Sequence, residues 1–406
     1  MTAPVPLSTS GPAAAEPRPG TDPRDLSIGY ITARNARDPR TWSGTPFYMG
    51  QALSARARQV SYIGPVEPRI LPAANRIARL QRRLTGWHVV PSQTLLAARA
   101  NARIIRAALA RTQPDILFAP AGSTLIAALE TDLPIAYTSD ATVQRMIGYY
   151  GHFTDMSRST LRQVQALEQA AIDRSDLMIY PTDWVARSAI EHYGADPAKI
   201  EILPYGANLS EEPDREAALA PRRAGPVKII FVGVDWVRKG GDIAVAALAD
   251  LRARGIDAEM TIVGCVPPPE VPRDGLTIIP FLDKNDPGQA RQLSEVYTAA
   301  DLLLVPTRSE CYGIVFCEAA AHGVPSIANA TGGVTGVIAE GVTGHTLPPE
   351  AEGRDYADLI DGIVSTPGRL ETLRRSARDD FETRLNWATW GERATALFRD
   401  LVAKRG

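Results

Sequence analysis

The sequence predicts an α/β protein of two domains, each with a parallel β-sheet that is covered by helices on both faces. Short apolar or β-branched runs recur from residue 26 onward, and helix-length segments separate them. The chain has 406 residues, of which 45% are hydrophobic, and this length suits two cores better than one. A charged stretch rich in Pro and Ala, residues 206–226, shows no strand pattern and is predicted to connect the two domains.

The first domain is predicted to span residues 26–205. Its strands are expected at residues 26–32, 60–64, 115–119, 135–139, 177–181 and 200–204. Amphipathic helices are expected at 95–111 and 159–173. Residues 1–25 are rich in Pro, Ala, Ser and Gly and cannot bury enough apolar surface to fold, so they are predicted to form a disordered tail.

The second domain is predicted to span residues 227–384. Its strands are expected at residues 227–233, 259–264, 276–280, 301–306 and 326–329. A final helix within residues 385–406 carries an apolar face that includes Trp387, Trp390 and Phe398. Two placements of this helix fit the pattern: it caps the second domain, or it crosses back to the first.

The charge of the chain is unevenly distributed. The net charge is only −2, but residues 1–205 hold 22 Lys and Arg against 17 Asp and Glu, whereas residues 206–406 hold 22 against 29. A membrane surface or an anionic acceptor facing the first half would explain this asymmetry. Scattered surface arginines explain it equally well.

The cysteine content and the hydropathy pattern bear on the compartment. Cys265, Cys311 and Cys317 are too few and too poorly spaced for a disulfide framework or a zinc site, which favours a reducing compartment. No apolar run approaches the roughly 20 residues that cross a bilayer, and the N-terminus does not resemble a signal peptide. We therefore expect a cytoplasmic protein that is soluble or peripheral on a membrane.

The most informative stretch is residues 306–325, which leaves a predicted buried strand, turns through polar residues and enters a helix near Gly313. Such a turn lies where parallel sheets bind ligands, and the N-terminus of the helix favours anionic groups. Glu310 on the loop can accept hydrogen bonds from sugar hydroxyls, and Glu318 inside the helix can bind the two cis hydroxyls of a ribose. Alternatively, Glu310 caps the helix and Glu318 is a solvated helix residue.

With these residues the sequence resembles the retaining glycosyltransferases of family 4, which have the GT-B fold of two facing Rossmann-like domains and a Glu-x7-Glu signature. Glu310 and Glu318 match that signature. The stretches 231–241, 331–338 and 341–348 match the family in the same order. The resemblance implies a nucleotide sugar donor, UDP- or GDP-linked, bound by the second domain, and an acceptor bound by the first.

The resemblance also implies roles for individual residues. Arg238 and Lys239 would bind the donor diphosphate just after the strand that ends at Gly233, although Val234 stands where the family often has an Arg. Glu318 would bind the ribose. Glu310 would hold sugar hydroxyls together with backbone groups from Cys311, Tyr312, Gly313 and Ile314. A solvated Arg-Lys turn is the alternative for the basic pair.

Two places in the first domain are further candidates. Gly44, between a predicted strand and helix, would let the backbone approach a phosphate or sugar, although an ordinary helix start with Pro46 in the first turn also fits. Asp140 follows a predicted strand at a place where many family members have a histidine. Its carboxylate can accept the acceptor's proton or bind a donor hydroxyl, or it can cap the following helix.

These observations predict a metal-independent, retaining glycosyltransferase without a cofactor. Asp140, Glu310, Lys239 and Arg238 are its candidate catalytic residues. No metal-binding Asp-x-Asp triplet lies at a predicted strand end. The acceptor stays open between a saccharide, a lipid and a small natural product, and no nucleic acid partner is expected. An epimerase or a phosphorolytic enzyme of the same architecture, or a silent nucleotide-sugar binding protein, remains an alternative.

Overall fold

A computed structural model describes residues 26–87, 89–221 and 225–405. The predicted disordered tail, residues 1–25, lies outside the described residues, as does part of the predicted connection between the domains. The described chain forms two six-stranded parallel sheets with helices packed on both faces. The predicted α/β class is thereby confirmed.

The N-terminal sheet has the strand order β2-β1-β3-β4-β5-β6. Its strands are β1 (Ser27–Ile31), β2 (Gln59–Ile63), β3 (Ile116–Pro120), β4 (Ile135–Thr138), β5 (Leu177–Tyr180) and β6 (Ile200–Ile202). All pairs are parallel, with Ile28 of β1 opposite Val60 on one side and Ile116 on the other. The inner strands are buried on both faces, as their unbroken apolar runs require.

The described residues of the first half also form eight α-helices. They are α1 (Thr45–Ser54), α2 (Leu71–Thr85), α3 (Leu95–Thr112), α4 (Ser123–Ile126), α5 (Val143–Met146), α6 (Arg158–Arg174), α7 (Asp183–Tyr193) and α8 (Arg215–Ala218). Short 3-10 helices occupy Thr41–Gly44, Pro91–Gln93, Gly151–Phe153 and Pro197–Lys199. α3 and α6 lie at the positions that the amphipathic pattern predicts.

The C-terminal sheet has the strand order β12-β11-β10-β7-β8-β9. Its strands are β7 (Val227–Val232), β8 (Ala258–Val263), β9 (Leu276–Ile279), β10 (Leu302–Val305), β11 (Ser326–Asn329) and β12 (Gly344–Leu347). The first five lie where the apolar runs predict them. The edge strand β12 was not predicted as a strand, because its sequence is short, begins with glycine and includes the polar His345 and Thr346.

Within residues 225–405 the chain forms seven further α-helices. They are α9 (Gly241–Ala253), α10 (Pro287–Ala299), α11 (Ile314–Ala321), α12 (Val334–Val337), α13 (Gly353–Ser365), α14 (Arg369–Thr383) and α15 (Trp387–Ala403). None of the helices in the described ranges is long and apolar enough to cross a membrane.

The C-terminal helix α15 packs against the N-terminal domain. Trp390 and Phe398 contact Phe118 of β3, with ring centroids 5.9 and 5.3 Å apart. Gly391 lies directly against the backbone of Ala52 in α1, and the Arg399 guanidinium donates to the carbonyl of Arg56 at 3.0 Å. The last helix of the chain therefore ties the C-terminal half back to the first sheet.

The two domains also meet around Tyr205, which lies just after β6. Its carbonyl accepts a hydrogen bond from the hydroxyl of Tyr312 at 2.7 Å, and its own hydroxyl bonds to Thr138 at 2.7 Å. Trp387 stacks on its ring at a centroid distance of 5.9 Å. This aromatic cluster fixes the loop before α11 against the end of β4. The carboxyl ends of the two sheets meet here, and we call the space between them the cleft.

Candidate active site

The candidate residues of the two domains come together at the carboxyl ends of their sheets. Asp140 follows β4, Lys239 follows β7, and Glu310 follows β10. The charge of Glu310 contributes to raising the pKa of Asp140, so the two carboxyl groups lie near each other although they belong to different domains. In parallel sheets this edge is the usual ligand-binding edge.

Arg238 and Lys239 converge on the carboxylate of Glu310. The Lys239 ammonium donates to Glu310 Oε2, and the Arg238 guanidinium lies 3.6 Å from the same oxygen. Arg238 also donates to the Ser309 carbonyl at 2.8 Å. Lys239 is only 8% exposed, so the basic pair is not a solvated turn; it forms a partly buried cluster of two cations and one anion.

The loop after β10 enters α11 at Gly313, which has a φ of +91° and is the residue that caps the helix. No side chain caps this helix, so Glu310 is not its cap. Gly332 packs directly on this loop, because an added Cβ there would overlap the carbonyl oxygen of Glu310. The backbone of Cys311 to Ile314 is thereby fixed at the N-terminus of a buried helix, where N–H groups and the helix dipole favour anions.

Glu318 lies inside α11 and is 1% exposed, so it is not a solvated helix residue. Its carboxylate accepts hydrogen bonds from the Lys284 ammonium and from the hydroxyl of Tyr297, the latter at 3.3 Å. The charge of Glu318 also contributes to raising the pKa of Tyr48 in α1 of the other domain, to about 12, although burial is the larger cause. The partly exposed Lys284 neutralises this buried carboxylate. A carboxylate has about four acceptor sites, so Glu318 can still accept hydrogen bonds from hydroxyl groups in the cleft.

Burial raises the pKa of Asp140 to about 7, and the Glu310 charge adds to the effect, while a hydrogen bond from Trp42 opposes it. Asp140 does not cap the next helix: the N-cap of α5 is Thr142, whose hydroxyl accepts from the Arg145 amide. The sequence left open whether Asp140 acts in the reaction or caps the following helix, and the capping role is therefore wrong. The Asp140 carboxyl, which accepts a hydrogen bond from Trp42, thus has a pKa raised toward neutral pH, a property that is common at functional sites.

The loop that ends at Gly44 is unusually strained. Trp42, Ser43 and Gly44 all have positive φ values, of 45°, 56° and 93°. Asn208 holds this turn by donating from its side-chain amide to the Ser43 carbonyl at 2.8 Å. Gly44 caps α1, with Pro46 in the first turn, so the ordinary helix start is present, and the approach of the Gly44 backbone to a phosphate or sugar stays a prediction. Strained turns of this kind cluster at ligand sites.

The other candidate residues offer no charged side chain to a ligand. An added Cβ at Gly233 would contact the side chain of Lys239, so this glycine lets the lysine cross the end of β7. Val234, which replaces the expected arginine, is 72% exposed. The Tyr312 side chain points away from the cleft, to the Tyr205 carbonyl. Burial raises the pKa of the Cys311 thiol well above its ordinary range, which leaves it a neutral packing group.

Sequence reasoning missed a pair of tyrosines from the N-terminal domain. The Tyr149 hydroxyl accepts from the Glu310 amide at 2.9 Å and bonds to the Thr331 hydroxyl at 2.8 Å. The neighbouring Tyr150 lies under the Arg238 guanidinium, 5.5 Å from the ring centroid. Both lie in an irregular segment after α5 that carries no periodic signal, so only the tertiary structure could place them.

Lys284 was missed for the same reason, because nothing in the sequence links it to Glu318. His322 and His345 were not among the predicted site residues. His322 is a packing residue, because its ring stacks on Tyr297 and burial lowers its pKa to about 4.

Within the part of the chain that the structure describes, no three His, Cys, Asp or Glu side chains are grouped so that they could hold a metal ion.

Two family models match the chain. The model described as Glycosyltransferase Family 4 matches residues 47–211, and the model described as Glycosyl transferases group 1 matches residues 226–366. Between them they cover most of the described residues in both domains.

Curated relatives carry the name D-inositol 3-phosphate glycosyltransferase. The protein from Corynebacterium aurimucosum is 27% identical over 291 residues, which is 67% of this chain and 67% of the relative. The protein from Geodermatophilus obscurus is 33% identical over 227 residues, which is 52% of this chain and 50% of the relative. The chain thus matches half to two thirds of the length of these relatives.

Solved structures share the whole architecture. Sucrose-phosphate synthase from Thermosynechococcus elongatus superposes with a TM-score of 0.66 at 19% identity and covers 93% of this chain and 100% of that one. HepE from Anabaena, solved in complex with UDP, superposes with a TM-score of 0.62 at 14% identity and covers 92% and 100%. With the fold, the two family matches and the Glu-x7-Glu geometry in agreement, the chain belongs to glycosyltransferase family 4 and is a glycosyltransferase with the GT-B fold.

Proposed function

We propose that this protein transfers a sugar from a nucleoside diphosphate sugar to a hydroxyl acceptor, with retention at the anomeric carbon and without a metal ion. The observation that carries the proposal is the convergence of Lys239 and Arg238 on Glu310 at the entrance to α11. Two cations and a helix N-terminus at one point of the cleft suit the departing diphosphate, which gains negative charge as the sugar leaves.

The reaction breaks the bond between the anomeric carbon and the diphosphate oxygen and forms a bond from that carbon to the acceptor oxygen. The electron pair of the broken bond stays on the diphosphate, where Arg238 and Lys239 stabilise it. The acceptor's proton passes to the leaving diphosphate or to Asp140, whose pKa of about 7 suits a proton acceptor at neutral pH. Retention follows from the family resemblance, through displacement on the same face.

The donor side of the proposal rests on Glu318. Its buried carboxylate would bind the ribose hydroxyls, and the sugar would then lie between Glu310 and Asp140. HepE was solved with UDP and with UDP-glucose, which makes a uridine donor the first to test, followed by a guanosine donor. The curated relatives' name supplies D-inositol 3-phosphate as the first acceptor to test.

The test is a thermal-shift panel of nucleotide sugars followed by a turnover assay. A ligand that binds only the folded chain raises the melting temperature, and the stabilisation grows with the logarithm of the ratio of its concentration to its dissociation constant. We expect the nucleotide sugars of one base to raise the melting temperature, and the nucleoside diphosphate of that base to raise it as well. Release of nucleoside diphosphate should then depend on an acceptor. A change of sugar configuration without any acceptor would instead identify an epimerase, and a chain that no nucleotide sugar stabilises would refute the proposal.

A further inference from the structure

The helix α2 exposes its apolar side to solvent. None of its residues is buried, and Ile77, Leu80 and Leu84 are 67%, 59% and 76% exposed. Because these three side chains are spaced by three and four residues, they share one face of the helix. Large apolar side chains scattered singly are normal on a surface, but a whole exposed face marks an interaction site.

The exposed apolar surface continues beyond the helix. Trp87, which follows α2, is 52% exposed. The 3-10 helix Pro91–Gln93 packs beside α2 and leads into α3, whose first residues Leu95 and Leu96 are 47% and 66% exposed. The patch therefore joins one complete helix face to the start of the next helix and includes a tryptophan, the residue type that prefers the membrane–water boundary.

The other side of α2 is strongly basic. At 100° per residue, its four arginines lie opposite and beside the apolar face: Arg76, Arg79, Arg82 and Arg83. The stretch from residue 68 to residue 114 contains nine arginines and no Asp or Glu. An apolar face flanked by arginines, on a helix that itself carries no Asp or Glu, is typical of helices that lie in the surface of an anionic membrane.

We propose that α2, together with Trp87, Leu95 and Leu96, docks the protein on a bilayer that contains anionic phospholipid. The apolar face enters the boundary between headgroups and acyl chains, and the arginines bind the lipid phosphates. A second copy of the chain fits this surface less well, because a two-fold contact through the apolar face would bring the arginine rows of both copies together.

The docking surface also lies beside the cleft. β2 ends at Ile63 and α2 begins at Leu71, so the helix starts at the carboxyl edge of the N-terminal sheet, which is the edge that carries Asp140. Docking through α2 would bring the acceptor side of the cleft to the lipid. This last step rests on the proposed function, whereas the docking itself does not.

The experiment is flotation of the full chain with vesicles of phosphatidylcholine alone and with vesicles of phosphatidylcholine and phosphatidylglycerol. We expect binding to the mixed vesicles only, weakening as salt is raised. The double variants Ile77→Ser with Leu84→Ser and Arg82→Gln with Arg83→Gln should each reduce binding by roughly tenfold or more. The replaced side chains are exposed, so the melting temperature and nucleoside diphosphate binding should stay unchanged, which separates this test from the test of the proposed function.

Matched controls change the same kinds of residue elsewhere. Val342→Ser replaces an exposed apolar residue of the second domain, and Arg291→Gln with Arg393→Gln removes the same charge as the arginine variant. Both controls should float like the wild type. Absence of binding to the mixed vesicles, or undiminished binding by the Ile77→Ser with Leu84→Ser variant, would overturn the proposal. A lipid-independent dimer that this variant dissociates would assign the face to a second copy instead.

Discussion

If the ionised Asp140 carboxylate takes part in catalysis, turnover should depend on pH near neutrality. The pKa of this carboxyl is raised from 3.8 to about 7, chiefly by burial and further by the charge of Glu310. With a pKa of about 7, roughly one tenth of the chains carry an ionised Asp140 at pH 6 and roughly nine tenths at pH 8. We therefore expect kcat/KM to fall roughly tenfold between pH 8 and pH 6.

The same shift has the opposite effect on stability. Because the folded chain holds the Asp140 proton more tightly than the unfolded chain, this carboxyl lowers the free energy of unfolding as the pH rises from about 4 to about 7. Asp140→Asn removes that loss, so the variant should gain stability relative to the wild type as the pH is raised through this window. Its turnover should nevertheless fall, and the acid limb of its pH profile should disappear.

The assay is a pH profile of initial rates for the wild type, Asp140→Asn and a matched control, Glu168→Gln. Burial also raises the pKa of Glu168 to about 7, but this residue lies in the core of the first domain and accepts a hydrogen bond from Tyr137 at 3.2 Å. The control should keep the acid limb. A flat wild-type profile, or an acid limb that survives in Asp140→Asn and vanishes in Glu168→Gln, would refute the reasoning.

Three further variants test the other contacts of the cleft. If Glu318 binds ribose as proposed, Glu318→Gln loses the charge of those hydrogen bonds, worth roughly 1.5 to 3 kcal/mol, so the dissociation constant of the nucleoside diphosphate should rise about tenfold or more; unchanged affinity would remove Glu318 from the site. Tyr149→Phe removes the hydroxyl that accepts from the Glu310 amide, so it should raise the KM for the donor more than it lowers kcat. Thr331→Val keeps that hydrogen bond and removes only the bond between the two hydroxyls, so it should raise KM less. Gly332→Ala should displace the Glu310 loop and weaken donor binding, and a fully active variant would contradict the close packing seen there.

The fold class was predictable because parallel strands buried on both faces have unbroken apolar sequences. The run Leu302–Val305 is such a strand, and the structure places it at the centre of the second sheet. The edge strand β12 escaped prediction because an edge position tolerates glycine and polar residues, and tertiary pairing with β11 decides its conformation. The other edge strands, β2, β6 and β9, have apolar runs and were predicted, so the polar sequence of β12 rather than its edge position alone kept it from being predicted.

The site was predictable only where a motif is contiguous. Residues 306–325 carry both glutamates, and the basic pair lies in one turn, so the sequence could indicate them together. Lys284 and Tyr149 reach the same cleft from distant segments, and no local pattern marks them. The burial of Glu318 is likewise a tertiary property, since a helical glutamate is solvated in most settings.

Asp140 illustrates a compensation that only the structure reveals. The family often has a histidine near this place, and an ordinary aspartate would not titrate near neutral pH. Burial and the nearby Glu310 raise the pKa of Asp140 into the range of a histidine. Whether this carboxyl takes part in proton transfer is what the pH profile of Asp140→Asn tests.

The most direct test of the central claim compares the turnover of the wild type and of Lys239→Ala, each with and without a metal chelator. If protein cations stabilise the leaving diphosphate, Lys239→Ala should lower kcat by about 10² or more, and chelator should leave the wild type nearly unaffected. Lys404→Ala, which removes an exposed lysine at the end of the chain, should behave as the wild type. Loss of activity on chelation, restored by Mg²⁺ or Mn²⁺, together with a nearly active Lys239→Ala, would contradict the account.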